Sequence, residues 1–247
     1  MIIALVLAAA PVAAAAPSPD QVRFDACVAL AQNAPAQALE QAGAWRVSGG
    51  GLLARHCEAL AYVAQSRWAP AATAFEAAAR AADTQADARA SNFWVQAGNA
   101  ALAGGEPARA RAAFDAAIAR AQLNGSELGE VHLDRARALV AANDLRGARG
   151  DLDTALRLVP ADPLAWLLSA TQARRTGDLT RARADIAEAG KRSPDDAAVA
   201  LEAGNIAVLS GSDSAARTAW EAAVRNAPAS PAGKAAADAL TRLAQAR

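Results

Sequence analysis

Residues 160–194 read PADPLAWLLSATQARRTGDLTRARADIAEAGKRSP, and Pro160, Pro194 and Pro228 stand 34 residues apart. Trp166 precedes Ala170 by four residues, and Gly204 follows Ala170 by 34. A fixed period of this length marks stacked helix–turn–helix units, each too small to bury its own apolar face alone. Such a stack presents a surface rather than a reaction centre. The pattern therefore speaks to how the protein binds before it speaks to what it binds.

Composition agrees. Of 247 residues, 53% are hydrophobic but only 4% aromatic, and alanine dominates. Alanine is the strongest helix former and lets helices approach closely, which predicts an all-α, tightly packed protein. Nothing alternates at the two-residue period of a strand. The 25 acidic and 25 basic side chains cancel, arguing against a nucleic-acid or anionic-membrane partner held by bulk charge. Almost all the bases are arginine, which together with the alanine excess reads as a GC-rich bacterial coding sequence.

Residues 1–16, MIIALVLAAAPVAAAA, read as a secretory leader with cleavage after Ala15. The apolar run is shorter than the roughly 20 residues that span a bilayer, so no membrane insertion is expected once it is removed. No cysteine follows it to receive a lipid. The expected location is periplasmic or secreted.

Five units overlay when started at Leu52, Ser91, Gly129, Pro163 and Ala197. Their eighth positions are Ala59, Gly98, Ala136, Ala170 and Gly204, and their twentieth are Ala71, Ala110, Ala148, Ala182 and Ala216. Position 24 carries Phe75, Phe114, Leu152, Ile186 and Trp220, and position 27 carries Ala78, Ala117, Ala155, Ala189 and Ala223. Small residues allow the two helices of a unit to approach, and the bulky one fills the gap between them. This pattern resembles the tetratricopeptide repeat. The resemblance implies a right-handed superhelical solenoid of antiparallel helix pairs: a leader at 1–16, a degenerate helical pair at 17–51, five repeats at 52–229 and a capping helix at 230–247. The extra residues around 81–90 and 122–129 are expected to lengthen the second helix of units 1 and 2. Turns such as Gly104-Gly105, Asn143-Asp144, Thr176-Gly177-Asp178 and Ser210-Gly211 supply left-handed positions and helix caps.

No metal-ligand, nucleophile-elbow or phosphate-loop motif is present, so no cofactor, no metal and no catalysis are expected. His56 and His132 lie in different units: His132 takes position 4, a packing position, and His56 beside Cys57 on one helix suits neither a metal site nor a nucleophile, because neighbouring side chains point about 100° apart. Asp151 and Asp153 read as capping or solvated groups. The arginine-rich stretches 135–149 and 174–183 read as solvated faces with pairs inside each helix. Cys27 and Cys57 fall on first helices of consecutive units, which the resemblance makes neighbours. A disulfide suits an exported protein, and two buried thiols are the alternative.

The resemblance also implies a concave face lined by positions 2, 5, 9 and 12 of each first helix. The expected partner-binding residues are Asn92, Val95, Asn99, Arg137, Leu164, Thr171, Arg174 and Asn205, with Leu133 and Leu201 divided between groove and packing. Apolar side chains would supply affinity there, and amides would pair with a bound backbone. Some family members clamp a chaperone's C-terminal carboxylate with lysine, arginine and asparagine. Here only Asn99 matches that set, while Val95, Asp134, Leu164 and Leu168 depart from it, which disfavours a cytosolic chaperone adaptor. The reading is a non-enzymatic scaffold holding a protein or peptide in the bacterial envelope. Self-assembly is the second possibility.

Overall fold

The computed structural model describes residues 16–245, so the expected leader, apart from Ala16, and its cleavage lie outside the described residues. Among those residues thirteen helices and no strand occur: α1 (Pro19–Asn33), α2 (Pro35–Val47), α3 (Gly51–Ala64), α4 (Trp68–Thr84), α5 (Ala90–Ala103), α6 (Pro107–Ala119) and α7 (Gly125–Ala141). They continue with α8 (Leu145–Leu158), α9 (Pro163–Arg175), α10 (Leu179–Arg192), α11 (Ala197–Leu209), α12 (Asp213–Asn226) and α13 (Pro231–Gln245). The chain is an all-α helical repeat solenoid.

Local sequence sets these boundaries. Asp144, Asp162, Asp178 and Asp196 each accept a backbone N–H from the first turn of the helix that follows. Gly105, Asn143, Gly177 and Gly211 adopt positive φ in the tight inter-helix turns, a region open to glycine and tolerated by asparagine. Of the two long units, the first follows the expectation and the second diverges from it. The first insertion does lengthen α4, to 17 residues, but α6 keeps 13. The second insertion instead lengthens α7 at its start, to 17 residues. Ala121 turns left-handed and ends α6, and Leu123 is buried ahead of α7.

Each helix packs on its sequence neighbours. The odd-numbered helices α5, α7, α9, α11 and α13 also touch in succession, forming the inner layer. α1 touches α3 likewise, and the ring of His56 on α3 meets that of Phe93 on α5. The packing follows the small–bulky pattern. All ten alanines at positions 20 and 27 are fully buried, and Phe114 and Leu152 fill the gaps between them. Gly98 and Gly204 lie against the rings of Phe114 and Trp220, where a Cβ would collide.

Polar contacts tie unit to unit. Trp94 donates to Asp83, and Arg120 both pairs with Asp83 and stacks over Trp94. Two units farther on, Trp166 and Arg192 both donate to the Pro160 carbonyl, and Arg192 stacks over Trp166. Arg109 on α6 reaches back to Glu76 on α4 at 2.7 Å, and Arg181 on α10 to Asp153 on α8.

Several carboxylates and arginines thus depart from the solvated reading. Asp151 is buried and is held by Arg135 at 2.6 Å and His132 at 2.8 Å. Arg135 also pairs with Asp115, bridging α6, α7 and α8. Burial pushes the Asp151 carboxyl up, but hydrogen bonds from His132 and Arg135 outweigh it and hold the group below the usual carboxylate value. The arginines pair both ways: Arg149 with Asp153 and Arg181 with Asp185 stay within one helix, as the i,i+4 pattern predicts, whereas Arg135, Arg174 and Arg181 also reach carboxylates on other helices.

Candidate functional site: the inner face

The inner-layer helices carry the expected partner-binding residues, and the structure separates them into two kinds. Asn92 and Asn99 on α5 are exposed, and their side-chain amides have no partner among the described residues. Val95, between them on the same face, is half-buried against the core. Leu164 at the start of α9 is 40% exposed, a large value for leucine in a repeat core. Thr171, two turns on, is half-buried.

The other three are committed internally. Arg174 on α9 donates to Glu202 on α11 at 2.6 Å, neutralising a buried carboxylate. Arg137 donates to Asp134 on its own helix at 2.8 Å. Asn205 corrects the expectation of a free amide. It donates to Glu202 at 3.3 Å and accepts from the indole N–H of Trp220 at 3.2 Å. The cause is the bulky residue of its own unit: a buried tryptophan N–H needs an acceptor, and Asn205 supplies it. Leu133 is buried core, and Leu201 packs against the C-terminal cluster.

Two hollows flank α5. The first, about 230 Å³, lies between α3 and α5 and is lined by Leu60, Val63, Trp68, Phe75, Gln96, Asn99 and Ala100. The second, about 250 Å³, lies between α5 and α7, with Asn92, Val95, Asn99, Leu123, Glu127, Glu130, Val131 and Asp134 around it. Asn99 lines both. Sequence reasoning missed Glu127 and the wall from Leu60, Val63 and Trp68. Glu127 lies three residues before Glu130, a helical spacing that puts both on one face, but the helix had to be known to begin at Gly125.

The histidines have structural surroundings. His56 stands among the rings of Phe24, Phe75 and Phe93, at centroid distances of 4.9, 6.0 and 5.0 Å. Burial lowers its pKa most, a hydrogen bond with Gln96 partly restores it, and the Arg89 charge lowers it further. No group of three or more histidine, cysteine, aspartate or glutamate side chains that could hold a metal occurs among the described residues. No described helix is long and apolar enough to cross a membrane. Cys27 on α1 and Cys57 on α3 are bonded, with Cα atoms 6.1 Å apart.

The fold recurs in proteins of low sequence identity. PilW, a widely conserved type IV pilus biogenesis factor, is 18% identical and superposes with a TM-score of 0.71 over 89% of this chain and 98% of its own. PilF of Pseudomonas aeruginosa is 15% identical, with a TM-score of 0.67 over 88% and 97% of the two chains. YrrB, a tetratricopeptide repeat protein with an unusual peptide-binding site, is 18% identical, with a TM-score of 0.59 over 79% and 96%. No curated protein matches the chain significantly by sequence. The sequence profile of the tetratricopeptide repeat matches residues 58–124, 133–191 and 167–231, more than half of the chain. With its small-residue pattern, paired helices and layered stack, the chain belongs to the tetratricopeptide repeat family.

Proposed function

We propose that this protein is a scaffold of the bacterial cell envelope that holds a protein or peptide partner on its inner face, at α5 and the helices beside it. The observation that carries this reading is the pair of exposed, unpartnered amides Asn92 and Asn99 around half-buried Val95. An amide on a helix whose backbone is already satisfied keeps a donor and an acceptor for a bound chain. The adjoining hollows offer apolar surface whose burial supplies affinity. The rest of the inner face, from Arg137 to Asn205, contributes shape and apolar contact at Leu164, since Arg137, Arg174 and Asn205 are bonded within the protein. Tetratricopeptide arrays are generally non-catalytic interaction modules, and the surroundings of both histidines fit that role.

The envelope location rests on the apolar leader at 1–16 and on the bonded Cys27–Cys57 pair, which persists in oxidising compartments. A photo-crosslinking amino acid placed at position 99 in the native host tests both parts. The expected result is a discrete crosslinked partner in the periplasmic fraction, and none from position 111 on the outer helix α6. Crosslinking from position 111 alone, or a chain retaining Met1 in the cytoplasm, would contradict the reading.

A further inference from the structure

The geometry points to a partner segment that pairs an apolar side chain with a nearby arginine or lysine, seated across α5. This rests on the inner-face reading and deepens it by naming the chemistry of what binds.

The two hollows differ in character while sharing Asn99. The one between α3 and α5 is walled by Leu60, Val63, Trp68 and Phe75, with no charged group around it. The one between α5 and α7 has apolar walls from Val95, Leu123 and Val131 and a rim of carboxylates from Glu127, Glu130 and Asp134. No lysine, arginine or histidine lines either hollow. Asp134 is neutralised by Arg137, but Glu127 and Glu130 have no ion-pair partner among the described residues.

Unpaired carboxylates occur elsewhere too, Glu40, Glu221 and Asp238 among them, but Glu127 and Glu130 stand together over the apolar walls of a hollow. Two adjacent unmatched carboxylates over apolar walls suit a side chain with an apolar stem and a cationic head. Arginine and lysine are built this way: the stem lies along Val95 and Val131, and the head forms charge-assisted hydrogen bonds with Glu127 and Glu130. An apolar residue of the same segment fills the neighbouring hollow. Asn99, free and placed between the two, pairs with the backbone that joins them. An acidic segment is excluded by the same rim, because bringing like charge against unneutralised glutamates costs affinity.

Panning a display library of random dodecapeptides on the full-length protein tests this. Enriched peptides should place leucine, methionine or phenylalanine close to arginine or lysine. A synthetic copy of the best one should lose at least tenfold in affinity when Glu127→Gln and Glu130→Gln are combined. Replacing its basic residue by glutamine should cost the same, with no further loss in the doubly substituted protein. Raising salt from 50 to 300 mM should weaken binding to the native protein and leave the double variant little changed. Enriched peptides without a basic residue, weakened by Asn99→Ala but not by the glutamine pair, would overturn this inference and leave the inner-face reading standing. Peptides indifferent to all these substitutions, or no enrichment at all, would overturn both.

Discussion

At the scale of single residues, the sequence pattern reports volume well and pairing poorly. Ala110, Ala148 and Ala182 are fully buried where a small residue is required, and their spacing alone identifies them. Asp151 carries no such signal. Its partners His132 and Arg135 lie 19 and 16 residues earlier, on a different helix, so helical periodicity assigns it to solvent. Asn205 is hidden for the same reason, because Trp220 reaches it from the second helix of the unit. His56 is hidden too: nothing in its spacing reports the aromatic rings that surround it. In the folded chain burial holds its pKa below the ordinary 6.5. The unfolded chain therefore binds the proton first as pH falls, so this contribution to stability is complete above pH about 6.5 and is lost as pH falls through the folded value. Urea midpoints measured from pH 7.5 to 5.5 should fall more steeply for the native protein than for His56→Phe. Equal slopes would mean that His56 charges as easily folded as unfolded.

At the scale of elements, the helix pair is decided by close approach. Gly98 lies on α5 facing Phe114 on α6, and an added Cβ would come within 2.5 Å of that ring. Alanine is favoured over glycine in a helix interior by about 1 kcal/mol. The overpacking cost of about 1–3 kcal/mol opposes that gain. Gly98→Ala is therefore expected to lower the thermal midpoint despite its helix propensity, whereas Gly150→Ala, with nothing near its Cβ, should raise it. Differential scanning calorimetry of the two variants decides, and stabilisation by both would remove the case for close approach at Gly98. The insertions mark the limit of legibility at this scale. Length alone could not say which neighbouring helix would absorb residues 122–129. The burial of Leu123 and the left-handed turn at Ala121 send them to α7. That choice carries Glu127 into the second hollow, so the acidic rim depends on it.

At the scale of the whole molecule, a repeat array has no single core, and its ends are held only by their nearest neighbours. The N-terminal pair is one such end. Its buried contacts with α3 are largely alanines around Cys27 and Cys57, with Phe24, Leu30 and Leu39 partly buried beside them. The Cys27–Cys57 bond closes a sequence separation of 30 residues, worth about 3–4 kcal/mol in the chain-entropy account. Reduction is expected to raise hydrogen exchange in α1 and α2 and to leave α9–α12 protected. Uniform loss of protection along the chain would indicate one cooperative unit instead.

On the proposed reading, the inner face at α5 holds the partner through Asn92 and Asn99. Isothermal calorimetry of the captured partner against the Asn92→Ala, Asn99→Ala double variant measures it directly. Both residues are exposed on a helix, where alanine is favourable, so the fold should be unaffected. Asn205→Ala serves as the contrast, because it strips the acceptor from the Trp220 indole and should lower stability. The double variant is expected to lose about 1–3 kcal/mol of binding free energy with an unchanged melting temperature. Native affinity in the double variant would place the partner elsewhere, on the outer helices or the ends of the stack, and would contradict it.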